Sequence, residues 1–132
     1  MNLGLLFTVS SIYMALSGLW LLISPTAILA GTLDPSSLVV IDAFRGLSGA
    51  LIGISIINWM ARNAEASKAR DGIVLGNTVG FAFATVFIFL VRLHGYPIYS
   101  WFFILLHLAL TIGFFAAGKA SMSASAASRA GQ

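Results

Sequence analysis

Asp42 and Arg45 stand three residues apart inside one long apolar run, and His107 lies in the middle of another. In water such residues need no comment. In hydrocarbon a charged side chain costs at least ~2.5 kcal/mol, so each needs a reason to be there. On a helix the i, i+3 spacing sets Asp42 and Arg45 on one face, where carboxylate and guanidinium can pair. Counted from the start of its run, Arg45 lies about 10 Å deep at ~1.5 Å per residue. That depth is awkward for snorkelling alone and predicts a side chain facing a bundle interior. The same counting brings Tyr13, Ser17, Thr85 and His107 to neighbouring depths. Asp42, Arg45, His107, Tyr13 and Ser17 are therefore expected to form one buried polar cluster, with Arg92 and His94 near its rim.

Such a cluster has three uses. Arginine is a good partner for carboxylate or phosphate, so it would suit a small anionic or isoprenoid, lipid-like molecule. An Asp42–Arg45 pair with a hydrogen-bonded His107 would equally lock helix order. A proton or ion path is the third. Catalysis fails on inventory, because four acids and two histidines form no Ser-His-Asp set. Haem ligation would need His94 and His107 at matched depth, and His94 falls in a turn. Metal ligands are too few. No cysteine is present, which removes thiolate sites and disulfides. No catalytic residue, metal ligand or cofactor is assigned, and an enzyme acting on lipid or quinone stands behind the other readings.

The elements that must position these residues follow from composition. Of 132 residues, 59% are hydrophobic and 8% charged, with a mean hydropathy of +0.98. A soluble domain carries roughly 25% charged residues. Four apolar stretches, at about 3–23, 38–60, 72–91 and 98–117, each approach the ~20 residues that cross a hydrocarbon core. The expected fold is all-α: a polytopic membrane protein with a four-transmembrane-helix bundle over residues 1–118. Residues 119–132, rich in Ala and Ser, read as a disordered cytoplasmic tail. The first stretch has no Lys or Arg ahead of it, outruns a signal core and lacks a small-x-small cleavage site, so it reads as a retained helix.

Sidedness comes from the basic residues. Arg62, Lys68, Arg70, Lys119 and Arg129 share the side of the termini and middle loop, against Arg45 and Arg92 opposite. The positive-inside rule then places both termini in the cytoplasm, in the inner membrane. The basic residues are too scattered for nucleic acid. Trp20, Trp59 and Trp101 near the ends of the stretches fit an interfacial aromatic belt.

Helices in lipid associate through close backbone approach or polar bonds. Gly72, Gly76, Gly80 and Ala84 recur every four residues, making one smooth stripe. Gly46, Gly49 and Gly53, at steps of three and four, likewise share one face in the second stretch, and Ser11, Ala15 and Gly18 form a weaker version in the first. These stripes would pack the four helices on one another, or serve as a seam for a homo-oligomer or other membrane subunits. Asn58 and Asn77 would hydrogen-bond between the second and third helices.

The order of features resembles small bacterial four-helix membrane proteins of the DoxX-like type. The matching elements are Gly18-Leu19-Trp20 with Ser24-Pro25, Arg45-Gly46 with Gly49, and Arg92 followed by Gly95 and Pro97. The resemblance implies the same architecture and, at most, an accessory role in membrane redox systems. Where such proteins carry an acidic residue in the last helix this chain has His107, so no site residue carries over. The expected function is a non-enzymatic accessory or scaffold subunit of a membrane complex. The alternative is a binder or transporter using the Asp42, Arg45, His107 cluster.

Overall fold

Apolar side chains surround each stretch almost evenly, so local breakers decide where the helices start and stop. The structure, a computed structural model, describes residues 2–29, 38–93, 98 and 100–130. α1 is Leu3–Ile23, α2 Pro25–Leu29, α3 Leu38–Ala61, α4 Lys68–Leu93 and α5 Ser100–Ala130. No strand occurs among the described residues. Four of the helices are long and apolar enough to cross a membrane.

Asn2 caps α1, its side chain accepting from the Gly4 N–H at 2.9 Å. The helix ends at Ser24, whose N–H still bonds the Trp20 carbonyl. Pro25 then opens the short α2, since proline lacks only a donor that a first helical turn leaves unused. α4 starts at Lys68, earlier than the expected 72, because Ser67 acts as its cap: the Arg70 N–H donates to the Ser67 hydroxyl at 3.2 Å, and Asp71 lies in the first turn. At the other end of the chain the expectation needs correcting. Residues 119–130, read as a disordered tail, continue α5 to Ala130. Alanine, the strongest helix former, recurs through that run.

The helices pack as two antiparallel hairpins, α1 on α3 and α4 on α5. The hairpins meet mainly through α1 and α5, and only thinly through α3 and α4. Buried residues recur at helical spacing, as with Ser100, Ile104, His107, Leu110, Phe114 and Ala117 on α5. Phe7, Phe81 and Phe114 form the centre, with Phe7 edge-on to Phe114 at 5.3 Å and Phe81 stacked on Phe114 at 6.0 Å.

Around this apolar core several polar side chains are buried while large apolar ones cover the exterior. Ser10, Ser48, Asn58 and His107 are buried, whereas Val39 is 80% exposed and Phe83 72%. A soluble bundle would place these the other way round.

Candidate functional site

α1 and α3 run antiparallel, with Gly4 beside Arg62 and Gly18 beside Ser48 and Ile52. The contact is close. A Cβ on Gly18 would stand 2.8 Å from an Ile52 side-chain carbon and 3.0 Å from the Ser48 carbonyl oxygen. Between these points Ser11 donates to the Ser55 carbonyl at 2.8 Å. On the other hairpin Gly118 is equally tight, its missing Cβ leaving 2.5 Å to Val74. These are the glycines that let backbones approach within the chain.

The conspicuous stripes do not. Gly46, Gly49 and Gly53 on α3, and Gly72, Gly76 and Gly80 on α4, have no atom within 4 Å of where a Cβ would stand. Contrary to expectation, these glycines do not pack the four helices on one another. Both stripes turn away from the buried faces, which on α3 carry Ser48, Ser55 and Asn58 and on α4 carry Val74, Asn77 and Phe81. Ala84 is half-buried at the end of its stripe. The α4 glycines floor a groove of about 400 Å³ against α3, with Ile54, Ile57 and Phe81 along its walls.

Three helices are tied together below that groove. The Asn58 side chain donates to Asn77 Oδ1 at 2.9 Å and to Ser10 Oγ at 3.0 Å. Asn77 donates back to Asn58 Oδ1 at 2.8 Å and to the Ile73 carbonyl at 2.9 Å. Ser10 in turn donates to the Phe7 carbonyl at 3.1 Å. All four amide N–H bonds are thereby used, as a buried network requires.

The second polar contact joins α1 to α5. His107 Nδ1 lies 2.6 Å from the Phe103 carbonyl, which can only accept, so Nδ1 carries the proton. In the neutral ring Nε2 is then an acceptor, and the Tyr13 hydroxyl donates to it across 3.2 Å. Ser17 lies one turn along, within reach of the same hydroxyl. The ring also packs against Phe81 at 5.7 Å. Both ring nitrogens are hydrogen-bonded, so the arrangement ties α5 to α1.

Asp42 and Arg45 are not part of it. Their ion pair, 3.7 Å long, points outward with side chains 74% and 54% exposed. The expected single cluster therefore falls into an inner His107–Tyr13–Ser17 group and a separate outer pair. The register of α1 and α3 gives the reason. Extending the Gly18–Ser48 contact by one turn sets Arg45 opposite Leu21 and Leu22, near the C-terminal end of α1. α3 thus begins beyond the end of α1, and counting from its first residue overstates how deep Arg45 lies. Tyr13 is some eight residues further in, roughly 12 Å at ~1.5 Å per residue. Arg92 lies at the end of α4, its Nε buried and without a partner among the described residues. His94 lies outside the described residues. No three His, Cys, Asp or Glu gather as metal ligands among the described residues.

The chain gives no significant match to any protein family, curated protein or solved structure.

Proposed function

We propose that this chain is a multi-pass membrane protein acting as a non-enzymatic accessory or scaffold subunit, joined to its partners by the outward glycine faces of α3 and α4. The observation that carries this reading is the empty space over Gly46, Gly49, Gly53, Gly72, Gly76 and Gly80. In lipid a glycine stripe gains nothing by facing acyl chains. It gains when another helix backbone comes close enough for dispersion and Cα–H contacts.

The broadly apolar exterior supports hydrocarbon as the surrounding medium. Arg62, Lys68, Arg70 and Lys119 at one end of the bundle favour cytoplasmic termini in an inner membrane. The DoxX-like resemblance read from the sequence would imply a four-helix membrane architecture and adds no activity. Binding through an Asp42, Arg45, His107 cluster is the weaker reading, since the outer pair and the inner histidine are separate.

Native mass spectrometry of the protein, extracted from its own membranes in mild detergent, tests the proposal. A defined oligomer or a co-purifying membrane protein is expected. A strictly monomeric chain with no companion would overturn it.

A further inference from the structure

We propose that the outward face of α3 is where two copies of this chain meet, side by side about a two-fold axis along the membrane normal. This rests on the membrane-subunit reading above and names one of its partners.

α3 is the least covered of the four long helices. Of its most apolar window 11% is buried, against 33% for α1 and 39% for α5. Asp42, Arg45, Gly46, Gly49 and Gly53 follow one another at helical spacing and share one face. The three glycines have nothing within 4 Å, so a second backbone can lie directly against them.

The charges say what that second backbone is. Asp42 and Arg45 sit on the same face, opposite in sign and more than half exposed. A two-fold interface is isologous: whatever residue i meets on the second copy, that copy's own residue i meets in return. Two copies crossing near Gly49 therefore set each Asp42 carboxylate beside the other copy's Arg45 guanidinium. The result is a neutral ring of four charges from a face that supplies both signs. Copies inserted with the same sidedness run parallel, which is the arrangement this pairing needs. Arg45 is about 6 Å and Asp42 about 10 Å from Gly49 along the axis at ~1.5 Å per residue, so an arginine side chain spans the remaining gap. The α4 stripe offers no equivalent. It floors a groove walled by α3, and two identical concave grooves cannot fill one another.

Co-purification of two differently tagged copies tests the pairing. Wild type should retain wild type. Asp42→Arg should lose its own kind, and so should Arg45→Asp, each by about tenfold or more, as like charges set face to face repel. Asp42→Arg mixed with Arg45→Asp should recover the wild-type yield, a rescue that misfolding cannot produce. A mixed pair no better than the like pairs would overturn the proposal. If the charge variants fail to reach the membrane, Ala50→Cys decides. It borders the same face, is exposed, and would be the sole thiol in a chain without cysteine. Mild oxidation in native membranes should give a disulfide-linked species with the mass of two chains, whereas Leu75→Cys on α4 should not. Absence of that dimer overturns self-pairing. A cross-link from Ala50→Cys to a different protein does so too, while leaving the subunit reading intact.

Discussion

Asn58 and Asn77 exchange two side-chain hydrogen bonds, of 2.9 and 2.8 Å, where α3 and α4 otherwise scarcely touch. Their bond, with Ser10 beside it, closes the two hairpins into one unit below the glycine-floored groove. Asn77→Leu leaves the Asn58 amide buried and short of a partner, a loss of about 1–3 kcal/mol. Thermal unfolding in detergent should show the drop. The double variant Asn58→Leu/Asn77→Leu should lose less than the sum of the two singles. Strict additivity would mean the amides do not act as a pair.

Tyr13 and His107 should behave as a structural couple. Tyr13→Phe removes one hydrogen bond and should cost about 1 kcal/mol. A double-mutant cycle with His107→Phe should give a coupling of at least ~0.5 kcal/mol. A coupling of zero would show that the 3.2 Å contact contributes nothing to the fold.

Two classes of glycine should separate cleanly. Gly18→Leu and Gly118→Leu drive side-chain atoms into Ile52, Ser48 and Val74 and should destabilise by about 1–3 kcal/mol through overpacking. Gly76→Leu enters open space and should leave the Tm nearly unchanged, within ~0.5 kcal/mol, while weakening assembly in native mass spectrometry. A large drop in Tm for Gly76→Leu would put that stripe inside the fold.

Sidedness is open to a single-thiol test. Ala64 is exposed between α3 and α4, among Arg62, Lys68 and Arg70. An Ala64→Cys variant should react with a membrane-impermeant maleimide only from the cytoplasmic side. Labelling from outside intact cells would reverse the topology.

Much of the fold was legible because length and hydropathy alone mark a stretch fit to span a bilayer. α3 ends within a residue of its expected bound, and the Asn58–Asn77 bond follows from two amides on neighbouring apolar runs. The faces were harder to read. A helix apolar all round carries no periodic signal for inside and outside, so the regular spacing of Gly72, Gly76 and Gly80 could not say which way they point. The faint Ser11–Gly18 pattern proved to be the packing face, because register with α3 decides that and a single helix does not encode register. Arg45 was misplaced for the same reason, its depth being set by where α1 ends. Ser67 and Pro25 carry plain cap and helix-start signals that account for the early start of α4 and for α2. The Ala-rich run after Lys119 shows composition alone misjudging order where helix propensity is high.

Outward glycine faces and a buried amide pair suit helices that lie in hydrocarbon, and alkaline extraction of isolated membranes measures that directly. After a carbonate wash at high pH and centrifugation the chain should stay wholly in the membrane pellet and be released only by detergent. Its recovery in the supernatant without detergent would contradict the bilayer as its medium.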